Sequence, residues 1–356
     1  MDSSAGSHIE KLRVFLKIAV FFTVGLVILY LVYQRQDVAF RADCAIKGTP
    51  DAECSLIQKI LSDIGSANYF WVVITMIIFM ITNVLRALRW KMMLVAMGYN
   101  PKFINLMGTI MINYLANLGI PRSGEVIRAG LIAKYEDIPV EKALGTIFTD
   151  RIFDVIMLAI VIGLTMILGG SDFINYMDQN VNFSEKLNIL TQNPMWIALF
   201  AIITVGAFLL VIKNKAKIRN TALGNKIIHV LKGFYDGVQS VKHVSSIPLF
   251  LVYTVGIWLL YYFMLYLAFF SFEPTSHLGL TAGLVVFTFG SLGILIPTPG
   301  GMGSYHYLVG EALSMYGVQG ADAFSFANIV FFSIQLFVNI LFGIIALIIL
   351  PAINKR

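Results

Sequence analysis

The residues of this chain best able to do chemistry form one short run, Asn117-Leu-Gly-Ile-Pro121-Arg122-Ser123-Gly124-Glu125-Val-Ile-Arg128. A helix that starts at Gly124 leaves its first N–H groups without intrahelical partners, and the Ser123 hydroxyl oxygen can accept from one of them. Such a start, with Arg122 beside it and Arg128 one to two turns on, makes an anion site. Arginine adds a planar fork of donors that matches phosphate oxygens. Glu125 would hold one of these arginines or take an amino head group, and Asn117 joins the candidate set. The same residues also fit an interfacial helix whose arginines snorkel toward the head groups.

A second run, Pro297-Thr-Pro299-Gly300-Gly301-Met-Gly303, places three glycines in four residues. Gly300, Gly301 and Gly303 have no Cβ to keep a ligand away from the backbone. The helix expected from Ser304 to about Met315 would aim its positive end at that ligand. A tight packing turn between helices is the alternative. Asp150-Arg151-Ile-Phe-Asp154 is expected to open a span, with both aspartates on one face and Arg151 able to pair with Asp154. Ionisable groups at such a place face the bundle and pair, either as a structural lock or as a substrate contact. Arg86 and Arg89, with Trp90, read as interfacial anchors ending the preceding span or as further head-group contacts. His306 reads as a packing residue or a proton relay, and Glu311 as the counter-charge to an arginine of the first run.

Other chemistries are missing from the sequence. It holds no Walker loop, no His/Cys grouping at metal-ligand spacing and no Gly-x-Ser-x-Gly motif. Neither cofactor nor metal is expected, and a transporter fits better than an enzyme.

The elements that position these residues must lie in a membrane. The chain is 58% apolar and 13% charged, with mean hydropathy +0.80, whereas a soluble domain carries about 25% charged residues. The reading is an all-α polytopic membrane protein built as one domain, residues 1–356. Expected spans are Val14–Tyr33 (uncleaved), Tyr69–Leu88, Ile152–Leu168, Met195–Ile212, Pro248–Phe270 and Phe324–Leu350, each about the length a bilayer demands. Two further apolar stretches, Phe103–Pro121 and Leu278–Pro297, end at the same motif, Ile-Pro-x-x-Gly. A break of this kind frees backbone groups that lipid cannot satisfy, so protein or water must cover it.

Charge fixes the crossings. The Lys213–Ile247 connection holds seven Lys/Arg against Asp236 alone, while Ser171–Pro194 holds three acids and one Lys. The first is therefore cytoplasmic and the second outside. If Phe103–Pro121 crossed fully, the basic stretch after it and every later loop would invert. A hairpin entering and leaving on one side avoids this, and the same count asks for a second hairpin near Pro297 from the opposite face; short full crossings in pairs give the same end-points. Two halves of opposite orientation follow, 14–168 and 195–350, with both termini cytoplasmic and the site where the broken elements meet. Cys44 and Cys54 fall in a loop placed outside, where a disulfide and two free thiols are both open readings. The basic loop 213–247 suits anionic lipid rather than nucleic acid.

At Arg86-x-x-Arg89-Trp90, Asn117-(x)3-Pro121-Arg122-x-Gly124-Glu125-x-x-Arg128, Asp150-Arg151-x-x-Asp154 and Pro297-x-Pro299-Gly300-Gly301-x-Gly303 the chain resembles the flippase-like membrane domain of the lysylphosphatidylglycerol synthase family. The resemblance implies movement between leaflets of a lipid with a charged head group, an aminoacylated phosphatidylglycerol or a polyprenyl-phosphate-linked sugar, in the cell membrane. Lysyl-lipid synthases carry a soluble aminoacyl-transferase domain after the membrane part. This sequence stops at Arg356, so synthesis is not expected from it. His306 stands where many members carry an acid. The alternative is a membrane-embedded glycosyl- or aminoacyl-lipid transferase using Asp51 and Glu53, or an accessory subunit of a synthase or glycosyltransferase.

Overall fold

A computed structural model of the chain describes residues 23, 25–42, 44–46, 50, 54–169, 232–318 and 320–354, and every regular element among them is helical. The expected span Met195–Ile212, the loop Ser171–Pro194, most of the basic loop, and Asp51 and Glu53 lie outside the described residues. Helix α1 covers residues 25–42. It is followed by α2 (Leu56–Ser66), α3 (Tyr69–Ala96), α4 (Phe103–Gly119), α5 (Gly124–Glu136) and α6 (Val140–Leu168). After α7 (residues 232–239) come α8 (Ile247–Ala268), α9 (Leu280–Leu295) and α10 (Ser304–Ser314). The last helix, α11 (Gly320–Ile353), contains a π-helical stretch, Phe331–Val338.

Four of these helices are long and apolar enough to cross a membrane: Tyr69–Ala96, Val140–Leu168, Ile247–Ser271 and Gly320–Ile353. The protein is an all-α, multi-pass membrane protein. Apolar side chains at helical spacing stay uncovered along α6 (Ile156, Ile160, Leu164) and α8 (Leu251, Val255, Leu259, Phe263), which is the stripe a lipid-facing helix presents. The span edges differ from the sequence reading. Helix α3 runs on past Leu88 to Ala96, and α6 starts at Val140 rather than Ile152. Hydropathy falls at Arg86, Arg89, Asp150 and Asp154, but these charges neutralise one another inside the protein, so the helices continue through them. Asp150 and Asp154 thus sit inside a helix, not at its opening.

Two helical hairpins carry the breaks. Helix α4 ends at Gly119, Ile120 is extended, and Pro121 follows; a residue before proline is pushed out of the helical region. Helix α9 likewise stops at Leu295, with Ile296 extended before Pro297. At about 1.5 Å per residue, the 17 residues of α4 and the 16 of α9 fall short of a hydrocarbon core about 30 Å thick. Each hairpin closes by near contact of backbones. A Cβ on Gly124 would lie 2.2 Å from the Asn113 carbonyl oxygen, and one on Gly293 2.8 Å from the Tyr305 Cα.

The described helices pack around two large cores and a smaller one at Val32, Leu56, Ala321 and Phe324. One large core surrounds the first hairpin (Trp90, Leu106, Ile110, Ile132, Phe250); the other surrounds the second (Phe269, Val285, Val309, Phe326, Phe331). Helix α11 touches both: Gly108 admits Leu350 and Gly343 admits Leu115, so α11 lies directly against α4. Cys44 and Cys54 form a disulfide that ties the chain after α1 to the start of α2. Helix α2 is held to α11 by Lys59, which bonds Asp63 at 2.9 Å and Asp322 at 2.8 Å, and by Ser325, whose hydroxyl donates to Asp63.

Candidate functional site

Six charged side chains from α3, α5 and α6 meet in the interior: Arg86, Arg89, Arg128, Asp150, Arg151 and Asp154. Helix geometry explains who faces whom. Arg86 and Arg89 are three apart on α3, Asp150 and Asp154 four apart on α6, so each pair shares a face. The Arg86 Nη1 donates to Asp150 Oδ2 at 3.0 Å and to Asp154 Oδ2 at 2.9 Å. The Arg89 Nη2 donates to Asp150 Oδ1 at 2.5 Å and Asp154 Oδ1 at 3.0 Å, and its Nη1 to the Thr254 hydroxyl of α8 at 3.2 Å. Both carboxylates are therefore shared by the same two arginines. Asp150 and Arg89 are fully buried, and Arg86 nearly so. Unpaired, any of these charges would be costly in the interior; bridged in this way they form a rigid lattice.

Two more arginines bring the sum to four guanidinium groups against two carboxylates. Arg151 lies 3.4 Å from Asp154, the expected i,i+3 pair, and 3.3 Å from Asp150, and its side chain is 40% exposed. Arg128, 1% exposed, approaches Asp150 only to 3.8 Å. Its guanidinium stacks on Trp90 with the carbon 3.7 Å from the ring centre, within the range of a cation–π contact. Trp90 is itself fixed by donating its ring N–H to Thr146 at 2.8 Å. Tyr261 receives Arg86 Nη2 at 3.5 Å and stands 3.4 Å from the hydroxyl of Tyr114 on α4.

The hairpin tips lie together. Arg122 adopts φ +62°, and its Nη2 donates to the Leu295 carbonyl at 3.1 Å. That carbonyl belongs to the last turn of α9, where helices leave acceptors free and favour cations. The two arginines of the first run thus do not converge: Arg122 reaches across to α9 while Arg128 turns to the charge cluster. Helix α5 begins at Gly124, as the sequence indicates, but Ser123 does not cap it. The Ser123 backbone is already helical and its hydroxyl donates to Ile120. Asn117 takes that place, its Oδ1 accepting from the Gly124 N–H at 2.8 Å. Glu125 stands in the first turn of α5.

The glycines of the second tip all have positive φ, but the space in front of two of them holds protein. A Cβ on Gly300 would meet Leu118 at 2.7 Å, and one on Gly303 would meet Ile28 at 2.6 Å; Gly301 faces the last turn of α9 at Ile294, 3.2 Å away. They serve helix packing, where a missing Cβ lets α4 and α1 close on the break, not approach of a ligand. His306 is buried among the rings of Tyr305, Phe324 and Phe331. Glu311, expected to face an arginine of the first hairpin, pairs with Arg35 of α1 at 3.3 Å. Arg86 and Arg89 are not interfacial anchors, since they are buried in the cluster.

The sequence reading passed over Tyr114, Tyr261 and Thr254. A signal existed on α4: Asn105, Thr109, Asn113 and Asn117 recur every four residues in an apolar helix, and the first three are buried. A polar stripe with that period faces protein, not lipid.

Comparison with known proteins places these features in a wider group. A sequence model described as "Lysylphosphatidylglycerol synthase TM region" matches residues 55–343. A UPF0104 membrane protein of Methanocaldococcus jannaschii is 27% identical over 237 residues, which are 65% of this chain and 94% of that protein. Another from Methanothermobacter thermautotrophicus is 24% identical over 76% of this chain and 80% of its own length. The glycosyltransferase AglD of Haloferax volcanii is 28% identical over 111 residues, 31% of this chain but 18% of that protein. No solved structure matches.

Proposed function

The chain belongs to the lysylphosphatidylglycerol synthase TM-region family, and on that footing we propose that it moves a lipid with an anionic head group between the leaflets of its membrane. The observation that carries this reading is the charge cluster. Four arginines and two aspartates sit among membrane-spanning helices, where ionisable groups are rare and mark pathways. Beside it, two interrupted hairpins touch at their tips through Arg122 and Leu295, the arrangement of half-helices that transport sites use. In this reading the two halves, 14–168 and 195–350, insert oppositely, and parting of the tips lets a head group reach the arginines while its chains stay in lipid.

Reconstitution in liposomes with a labelled anionic lipid tests it. Wild-type protein should speed movement of that lipid over protein-free vesicles, and Arg122→Ala should change the rate by several-fold, because it removes the bond that closes the tips. Movement no faster than in protein-free vesicles sinks the reading. The partial likeness to a glycosyltransferase favours one runner-up, a membrane-embedded transferase. It requires product formation by purified protein that depends on Asp51 or Glu53.

A further inference from the structure

The charges of the cluster do not cancel, and the excess has an address. Asp150 and Asp154 are each bridged by Arg86 and Arg89, so these four form a neutral unit. Arg128 and Arg151 are left over, with a combined charge of +2. Arg128 is the telling one. Its Nε and Nη2 are buried without a hydrogen-bond partner among the described residues, as are the Nε atoms of Arg86 and Arg151. The three guanidinium groups converge on one carboxylate oxygen, Asp150 Oδ2, at 3.0 Å from Arg86, 3.3 Å from Arg151 and 3.8 Å from Arg128. A buried guanidinium with idle donors is strongly unfavourable unless an anion joins it. Access comes from the side of Arg151, the exposed member of the group.

Resting on the lipid-transport reading above, we propose that this arginine cluster takes a terminal phosphate, a phosphate monoester or diphosphate end, in preference to the phosphodiester of ordinary phospholipids. The argument is charge and donor matching. A monoester carries about −1.5 to −2 at neutral pH with three acceptor oxygens, which matches the excess of two positive charges and the four idle guanidinium nitrogens. A phosphodiester offers a single negative charge and two free oxygens, and would leave one arginine uncompensated. The Trp90 ring beneath Arg128 holds the guanidinium plane in place, so its donor edge is set before the ligand arrives.

The test is equilibrium binding to the full chain in detergent micelles, with phosphatidic acid as the monoester, phosphatidylglycerol as the diester and inorganic pyrophosphate as the lipid-free probe. Phosphatidic acid should bind about tenfold or more tightly than phosphatidylglycerol. Arg128→Gln should abolish that preference, and Arg128→Lys, which keeps charge but loses the fork, should restore only part of it. Competition by pyrophosphate says that the phosphate end suffices; phosphatidic acid binding without such competition says that the lipid source is required, and both support the site. Equal binding of the two lipids, or an Arg128→Gln protein with the preference intact, overturns it. Folding is checked by thermal unfolding, where loss of an uncompensated charge should leave Arg128→Gln at least as stable as wild type. Monoester preference without lipid movement would defeat the transport reading and leave this site standing; movement without preference would do the reverse.

Discussion

Asp150 is surrounded by the guanidinium groups of Arg86, Arg89, Arg128 and Arg151, so its replacement is the most damaging single change available in the cluster. Asp150→Asn leaves several buried cations facing a neutral amide, and loss of about 3–5 kcal/mol is expected, read as a large drop in the unfolding midpoint in detergent. Gly124→Ala should also destabilise, by about 1–3 kcal/mol, since its Cβ would strike the Asn113 carbonyl at 2.2 Å. Lys59 lies outside the spans and gives a pH signature. Burial disfavours its ammonium, but the bonds to Asp322 and Asp63 outweigh that and raise its pKa above 10.5. A raised value stabilises the fold fully below the ordinary amine pKa and less as pH climbs through the folded one. In Lys59→Met protein the unfolding midpoint should drop at neutral pH, and the gap to wild type should narrow only in strong alkali.

At the level of elements, the hairpins and the disulfide make separable contributions. The bond between Cys44 and Cys54 spans 10 residues, and closing a loop of that size limits the unfolded chain by about 2.5–3 kcal/mol on the entropy argument. Cys54→Ser, or reduction of wild type, should lower the thermal midpoint accordingly while leaving the arginine cluster intact. Helix α11 carries a π-helical stretch beside α3. Before and within it Phe326, Phe331, Ile334 and Val338 pack with the second hairpin, and after it Ala346 and Leu350 pack with the first. Such stretches recur where a helix serves function rather than maximal regularity.

For the molecule as a whole, the proposed opposite insertion of the two halves makes a prediction about sidedness. A membrane-impermeant thiol reagent applied outside should reach Cys44 and Cys54 after reduction and should fail to reach a cysteine placed at Asp236. Labelling of both from one side would remove the charge-based topology. The breaks themselves were plain in the sequence. Pro121 and Pro297 lack the N–H that a continuing helix uses and push Ile120 and Ile296 out of the helical region. Composition and the length of the apolar runs likewise sufficed for an all-α membrane protein, because lipid leaves the backbone few choices. Spacing also put Asp150 and Asp154 on one helix face, with Arg151 in reach of Asp154. What needed the tertiary structure was how charges and glycines were shared between helices distant in sequence. Arg86 and Arg89 could have anchored at an interface, Ser123 could have capped α5, and Gly300 and Gly303 could have faced a ligand. Local chemistry permits each of these. Only the packing of α3 on α6, of Asn117 over Gly124 and of Leu118 and Ile28 into the glycine turn decided otherwise, since burial forces a charge or a bare backbone toward whichever partner lies within a few ångströms.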